Sequence, residues 1–438
     1  MSETINTHLR TAAVYTLGCK VNQFESAAMT RMLSAAGYTI VPHGRPADVT
    51  LINTCTVTGR ADFEARQLIR RAHRLNPDGR TIVTGCLAQV NPEEMAALPG
   101  VILVLGQNKA DLTEWLNSAW PDQVTIPRGF PSPALNRLGF PVFDRTRAFF
   151  RIQDGCSVKC AYCAVPQARG PSRSLGLSDV TAGIEFYTDH GYAEVVLTGI
   201  HLGAWGADLN PPTSLTELIE TLLIAGDGPR LRLSSIEPYE VTDRMIELVG
   251  VSSRLCPHWH LPLQSGSDRI LAAMGRPYTS GFYANLMQRL SAVHQDSCLG
   301  ADVLVGFPGE GENEFFETFQ LLSRLPLAYM HVFPYSRRPG TPAADFPNQV
   351  PDREKKRRVA LLRKLSGEKR QAFAQKCLGQ IRPTLVENTP DPSTGLARGL
   401  TDNYLSILLP DPPSMKGTII PIRIDRIAAD GCLWGSSK

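Results

Sequence analysis

Three cysteines, Cys156, Cys160 and Cys163, stand in the run Gly-Cys-Ser-Val-Lys-Cys-Ala-Tyr-Cys-Ala, just after an apolar stretch at 148–152. Cysteine thiolates are the usual ligands of iron–sulfur clusters, and three on one short loop can hold three irons of a 4Fe–4S cluster. With no fourth cysteine in the loop, one iron stays open to another ligand, as open metal positions do in catalysis. A zinc knuckle or plain buried thiols are the alternatives. Zinc prefers four ligands, and no paired C-x2-C or H-x3-H lies nearby, so the cluster reading leads.

A second set is spread along the first hundred or so residues. Cys19 stands in Leu-Gly-Cys-Lys-Val-Asn, Cys55 in Ile-Asn-Thr-Cys-Thr-Val and Cys86 in Val-Thr-Gly-Cys-Leu-Ala. Each follows a short apolar run (12–17, 49–53, 81–85), with a further run at 101–105 and helical patterns at 24–36, 62–75 and 92–97. Such alternation predicts a parallel sheet with helices on both faces, and ligands of such sheets lie beyond the strand C-termini. The three thiols would then share one sheet edge. Core cysteines sit more often within strands, so a second three-thiolate cluster with an open iron is the better reading. Cys256, Cys298, Cys377 and Cys432 have no partners at ligand spacing and read as small buried hydrophobes or incidental thiols.

The elements that must position these residues follow from the rest of the chain. At 438 residues it is long enough for two or three cored domains. A hydrophobic content of 43% with 20% charged residues is that of a soluble globular protein. The N-terminal ten residues show no apolar signal-peptide core, and no stretch of about 18 uncharged apolar residues suggests a membrane span. Ten cysteines without an export signal point to metal ligands or thiols in the cytosol. The net charge of +3 is too small to argue for nucleic acid. Its distribution says more: Arg60, Arg66, Arg70, Arg71, Arg74 and Arg80 cluster early, and Arg353, Arg357, Arg358, Arg363, Lys364, Lys369 and Arg370 late. Each group is either an RNA-facing patch or an ordinary solvated helix face.

Residues 11–115 form the first predicted domain, and 116–145, with Pro121, Pro127, Pro131, Pro133 and Pro141, read as a linker. From 146 to 375 the chain repeats strand and helix, with strands expected at 148–152, 194–198, 231–234, 258–263, 301–305 and 327–333. Helices are expected at 178–190, 215–224, 268–274 and 312–325, before a basic helical stretch at 352–375. About six such units suggest a full or partial β/α barrel with its active site at the strand C-termini. Residues 376–438 change to short β-runs at 381–387, 404–409 and 418–424, which read as a small all-β barrel.

With both cysteine sets placed, the chain from about residue 11 onward resembles the methylthiotransferases of the radical S-adenosylmethionine (SAM) superfamily. The residues that carry the resemblance are Thr-Leu-Gly-Cys-Lys-Val-Asn at 16–22, Asn-Thr-Cys-Thr-Val at 53–57, Thr-Gly-Cys at 84–86 and the Cys156 loop with Tyr162 before its last cysteine. Others are Arg-Gly-Pro-Ser-Arg-Ser at 169–174, Leu-Thr-Gly-Ile-His at 197–201, His-Leu-Pro-Leu-Gln-Ser-Gly-Ser at 260–267 and Gly-Phe-Pro-Gly-Glu at 306–310. The run continuing to Gln-Phe-Glu-Ser at 23–26, with Ser-Ser-Ile-Glu-Pro at 234–238, is most like the branch that modifies N6-threonylcarbamoyladenosine beside the tRNA anticodon. The alternatives are isopentenyladenosine in tRNA and an aspartate of a ribosomal protein.

The resemblance implies an α/β fold: a flavodoxin-like parallel-sheet domain, a radical SAM partial (β/α)6 barrel and a C-terminal barrel like the RNA-binding TRAM domain. It implies that Cys156, Cys160 and Cys163 hold the SAM-cleaving 4Fe–4S cluster, and that Cys19, Cys55 and Cys86 hold a second 4Fe–4S cluster whose open iron carries the sulfur. One SAM would methylate that sulfur, and a second would give the 5′-deoxyadenosyl radical that activates the substrate carbon. An aromatic C–H has no acidic proton at neutral pH, so cofactor-borne radical chemistry suits it. An electron donor and a sulfur source are the further partners implied.

SAM contacts are expected from the strand C-terminal face. Glu237 is placed to accept from ribose hydroxyls or the amino group, or is a loop carboxylate. Gln264 and Ser265 are polar candidates. Gly306 would let backbone approach the adenine, or only make a turn. Arg173, like Arg169, could meet the SAM carboxylate or an RNA phosphate. In the small barrel Arg398 could meet phosphate and Tyr404 stack on a base, unless Tyr404 packs in the core. His201 and His260 either line the site or are structural.

Overall fold

The computed structural model describes residues 10–118, 120–121, 123–127, 135–410, 416–428 and 431–437. The contacts divide into two compact units: the chain to Val142 with Asp154–Val158 and Cys163–Arg173, and Phe143–Gln153 with Lys159–Tyr162 and the chain from Ser174 onward.

The first unit is built on five parallel strands in the order β2-β1-β3-β4-β5, where β1 is Thr11–Thr16, β2 Thr39–Ile40, β3 Val49–Thr54, β4 Arg80–Gly85 and β5 Val101–Gly106. Helices α1 (Lys20–Ala35), α2 (Gly59–Leu75), α3 (Cys86–Val90), α4 (Pro92–Ala96) and α5 (Leu112–Asn117) connect the strands or follow them. Neighbouring strand residues point to opposite faces, so the strands feed two cores. Ala13, Ile52 and Val83 pack with Ala65 and Ile69 of α2, while Ala12, Leu51 and Ile82 pack with Met29 and Leu33 of α1 and Leu112 of α5. The thiol-bearing loops lie where the alternation predicts. Cys19 caps the start of α1, Cys55 follows β3, and Cys86 opens α3 directly after β4.

The predicted linker is less free than its prolines suggest. Pro131 and Pro133 lie outside the described residues, but Thr125 bridges Leu103 of β5, and Arg31 of α1 donates to the carbonyls of Leu138 and Phe140, both at 3.2 Å. These described parts pack on the first unit.

The second unit carries six parallel strands in two ladders, β8-β7-β6 and β9-β10-β11, where β6 is Ala148–Arg151, β7 Glu194–Thr198, β8 Arg230–Leu233, β9 His258–His260, β10 Cys298–Val305 and β11 Tyr329–Pro334. Parallel bridges from Leu231 of β8 to Leu255 and from Ser235 to His260 continue one ladder into the other. Helices α6 (Leu177–Asp189), α7 (Leu215–Ile224), α8 (Asp243–Val251), α9 (Asp268–Ala273), α10 (Ser280–Val293), α11 (Glu312–Arg324) and α12 (Asp352–Lys376) alternate with these strands or follow the last. Of these, α8 and α10 escape the sequence pattern. Each is N-capped by a threonine, Thr242 or Thr279, whose hydroxyl accepts a backbone N–H.

The C-terminal segment closes into a five-stranded barrel, β12-β13-β14-β16-β15, with β12 at Ile381–Val386, β13 at Ala397–Thr401, β14 at Ser406–Leu409, β15 at Ile419–Ile427 and β16 at Leu433–Ser437. The short runs β13 and β16 were not expected from sequence. Tyr404, expected in a strand, has φ +70° and sits in the turn before β14. This barrel shares a compact unit with the β/α barrel. Arg230 of β8 donates to the carbonyls of Pro383 and Leu400, and Arg232 to those of Thr401 and Asp402.

Candidate cluster sites and their surroundings

In the first unit Cys55 and Cys86 are buried, Cys19 is exposed, and all three are free thiols. They lie close enough to act electrostatically on one another, and a Cβ on Gly18 would come within 2.9 Å of Cys55 Sγ. Burial first, and then the neighbouring Cys86, push the Cys55 thiol up to about 12. A buried thiol so hard to ionise becomes an anion when a metal coordinates it. Three convergent free thiols fit a cluster bound through three irons.

Hydrogen-bonding side chains back these thiols. Gln107 Nε2 donates to Cys86 Sγ at 3.7 Å, and Cys19 Sγ lies 3.9 Å from Asn22 Oδ1. Behind them is a group of charges of which the sequence reading singled out only Arg169 and Arg173. Lys109 pairs with Glu25 at 2.6 Å, and Arg169 pairs with Glu25 at 3.0 Å and with Asp154 at 2.7 Å. The available signal was Glu25 itself, a carboxylate beside Phe24, Ala28 and Met29 on the core face of α1. Arg169 is therefore buried in an ion network rather than offered to SAM or phosphate. Arg173 is likewise committed, with Nη2 at 3.1 Å from Asp154 Oδ2.

The Cys156 loop starts with Gly155, which has φ +73° and whose Cβ would fall 1.9 Å from the Pro171 carbonyl oxygen. Only glycine fits there, for both backbone angle and space. The Cys156 N–H donates to the Gly170 carbonyl at 3.0 Å. Cys156, Cys160 and Cys163 are partly exposed, which suits a cluster that must admit a further ligand.

In the second unit, Tyr162 packs against Ile270, Met274, Phe307 and Tyr335. Arg276, absent from the sequence reading, donates from Nη1 to Cys160 Sγ at 3.3 Å and pairs through Nη2 with Glu237. Glu237 thus stands one arginine away from Cys160. Burial pushes its carboxyl up against the opposing pull of Arg276.

Gln264 follows β9 with φ +69°, and its backbone joins β10 through Asp302 and Leu304. Ser265 is fully buried, with its hydroxyl 3.3 Å from that of Thr318 and accepting the Ser267 N–H. These bonds hold the turn that follows β9. Gly306 turns with φ +75° under the Lys355 side chain, its N–H donating to Glu310.

His260 Nε2 lies 3.0 Å and His331 Nδ1 3.3 Å from the same oxygen of Asp302. Burial would raise the Asp302 carboxyl, but His260 and His331 outweigh it and hold it well below the usual range. The other nitrogen of His260 meets the Tyr329 hydroxyl at 2.9 Å, which also meets His258 at 2.8 Å. His201 pairs with Glu240 at 2.7 Å.

In the small barrel Arg398 pairs with Glu387. The Tyr404 ring stacks on His258 with centroids 4.1 Å apart. On α2, Arg60, Phe63, Gln67, Arg71 and Arg74 line a cavity of about 810 Å³ together with Leu17, two residues before Cys19.

Two parallel sheets, each with a three-thiol set following its strands, define an α/β scaffold for iron–sulfur chemistry. Residues 11–106 match the family described as uncharacterized protein family UPF0004, and residues 150–322 match the radical SAM superfamily. The threonylcarbamoyladenosine tRNA methylthiotransferase MtaB of Bacillus subtilis (strain 168) is 38% identical, covering 95% of this chain and 94% of its own. The tRNA-2-methylthio-N(6)-dimethylallyladenosine synthase of Pelotomaculum thermopropionicum is 30% identical, covering 94% of each. The structure of the radical SAM methyltransferase TsrM from Kitasatospora setae, with tryptophan and a SAM analogue, superposes with a TM-score of 0.56. At 15% identity, covering 87% of this chain and 79% of that one, this likeness concerns the fold alone. The chain belongs to the methylthiotransferase family of the radical SAM superfamily.

Proposed function

We propose that this protein adds a methylthio group to C2 of N6-threonylcarbamoyladenosine beside the anticodon of tRNA. The observation that carries the reading is the pair of separate three-thiol sets, each following strands of a parallel sheet and each short of a fourth cysteine. The preference for threonylcarbamoyladenosine over dimethylallyladenosine rests on the identities, 33–38% to the MtaB relatives against 30–33% to the dimethylallyladenosine synthases.

Cys156, Cys160 and Cys163 would hold the SAM-binding cluster, and Cys19, Cys55 and Cys86 the second. The first cluster, with SAM, supplies one-electron radical chemistry, and the second supplies an open iron for sulfur. The chain's own residues hold these places ready. Gly155 shapes the loop, Arg276 directs an N–H at Cys160 and neutralises Glu237, and Tyr162 anchors the loop to the apolar group around Phe307. Gln264 and Gly306, at the C-terminal ends of β9 and β10, are the backbone positions for SAM.

Anionic RNA would meet Arg71 and Arg74 on α2, with Phe63 exposed for stacking, and Arg398 on the small barrel. A low-potential electron donor and a sulfur source complete the reaction. No helix among the described residues is long and apolar enough to cross a membrane, and we place the enzyme with its tRNA in the cytoplasm.

The test is mass spectrometry of nucleosides after anaerobic incubation of reconstituted protein with SAM, reductant, sulfide and tRNA bearing threonylcarbamoyladenosine. A nucleoside in which methylthio replaces one hydrogen is expected. Product only from tRNA bearing isopentenyladenosine would overturn the substrate, and absence of 5′-deoxyadenosine would overturn the reaction class.

A further inference from the structure

Behind the edge that carries Cys19, Cys55 and Cys86, the first unit buries a chain of charges. Glu25 accepts Lys109 Nζ at 2.6 Å and both terminal nitrogens of Arg169, at 3.0 and 3.2 Å. Arg169 also donates to Asp154 at 2.7 Å, and Arg173 reaches the other oxygen of that carboxylate at 3.1 Å. The side chains of Glu25, Lys109, Arg169 and Asp154 are all at most 4% exposed.

The network reaches two of the three thiols through one amide each. Arg169 Nη2 donates to Asn22 Oδ1 at 2.5 Å, and that oxygen is 3.9 Å from Cys19 Sγ. Lys109 donates to Gln107 Oε1 at 2.7 Å, while Gln107 Nε2 donates to Cys86 Sγ at 3.7 Å. The electrostatic link is direct as well. Burial works against the Arg169 charge, but Glu25, Cys86, Asp154 and Cys19 outweigh it and hold it well above the ordinary arginine value.

Burying ions is costly, and well-packed apolar residues commonly do as well for stability. The arrangement therefore calls for a reason beyond packing. Lys109 and Arg169 place two buried cationic groups one amide away from Cys86 and Cys19. Cluster potentials follow net charge, hydrogen bonds to sulfur and solvent exposure, and each charge acts strongly in a low-dielectric interior. One-electron reduction adds a negative charge that these two nearby cations stabilise.

We propose that Lys109 and Arg169, braced by Glu25, are positioning residues that set the potential of the cluster at Cys19, Cys55 and Cys86, favouring its reduced state. This rests on the reading that those three cysteines hold a 4Fe–4S cluster. The step is one electron from a low-potential donor, with no bond made or broken and no proton moved.

The test uses full-length protein in which Cys156, Cys160 and Cys163 are all changed to alanine, reconstituted anaerobically so that one cluster remains. Its midpoint potential is read by titration with dithionite under electron paramagnetic resonance. Lys109→Met should lower the reduced-to-oxidised ratio at a given potential about tenfold, a shift of about 59 mV for one electron. Glu25→Gln should shift it the opposite way. Shifts of one sign in both variants, or below about twofold in ratio, would overturn the proposal while leaving the cluster in place. A parent protein that binds no iron would instead overturn the cluster reading beneath it. If Lys109→Met fails to load, Glu25→Gln decides alone: a more positive potential supports the proposal, and an unchanged or more negative one sinks it.

Discussion

The Arg232 guanidinium lies 5.2 Å above the Tyr404 ring. It brings a strand of the β/α barrel against the turn before β14, and His258 stacks on the same ring at 4.1 Å. Aromatic and cation–π contacts at partly desolvated sites add to area burial. Tyr404→Ala should therefore destabilise the protein by about 2 kcal/mol, whereas Tyr404→Phe should be nearly neutral. Urea denaturation measures both. An unchanged midpoint for the alanine variant, together with weakened RNA binding, would restore Tyr404 as a base-stacking residue.

Glu194 is fully buried between Arg230 at 2.6 Å and Arg232 at 2.8 Å. Burial alone would raise its carboxyl, but Arg232 and Arg230 outweigh it and hold it well below the usual range. A depressed folded value means that the contribution is complete above the unfolded value, about 4.3, and fades as pH falls through the folded one. Glu194→Gln leaves two buried guanidinium groups short of charge and should cost about 3 kcal/mol at neutral pH. The gap between variant and parent should narrow in acid. Denaturation from about pH 7 to about pH 3 checks this, and a gap that widens in acid would refute it.

Much of this was legible in the sequence, and the boundary of legibility has a physical cause. The strands carrying Cys19, Cys55 and Cys86 are short apolar runs whose period and spacing fix them as parallel, so the thiols' common edge follows. The burial of Ser265 and its bonds to Thr318 and Ser267 were not legible, because polarity after a strand does not say whether a hydroxyl faces a ligand or its own turn. Arg169 and Lys109 were misread or missed because their partner, Glu25, is 144 and 84 residues away in sequence. No periodicity encodes such a pairing. Arg276, 116 residues from Cys160, escaped for the same reason.

Gly155 gives a test of the loop that spares its ligands. With φ +73° and a Cβ destined for 1.9 Å from a backbone oxygen, any side chain must shift the chain at Pro171 or the loop itself. Gly155→Ala should lose roughly half of the iron of a two-cluster protein and most 5′-deoxyadenosine formation, while the cluster at Cys19, Cys55 and Cys86 stays. Iron analysis beside the Cys160→Ala variant makes the comparison. A fully loaded, active alanine variant would show that the loop tolerates what this geometry forbids.

The last prediction concerns RNA, and it follows from charge rather than shape. Arg71 and Arg74 line the cavity on α2, whereas Arg60 and Arg66 on the same helix pair with Glu64 and Glu94. A phosphate contact releases counterions, so each one steepens the fall of affinity with salt by about one unit of log–log slope. Arg71→Gln and Arg74→Gln should each weaken tRNA binding and reduce that slope by about one, and Arg60→Gln should do less. Phe63, 59% exposed beside them, should contribute about 1–3 kcal/mol by stacking, and its loss as Phe63→Ala should leave the slope unchanged. Filter binding across a salt series separates these outcomes. Slopes indifferent to Arg71 and Arg74 would mean that tRNA lies elsewhere on the protein and that this face of α2 is only a solvated surface.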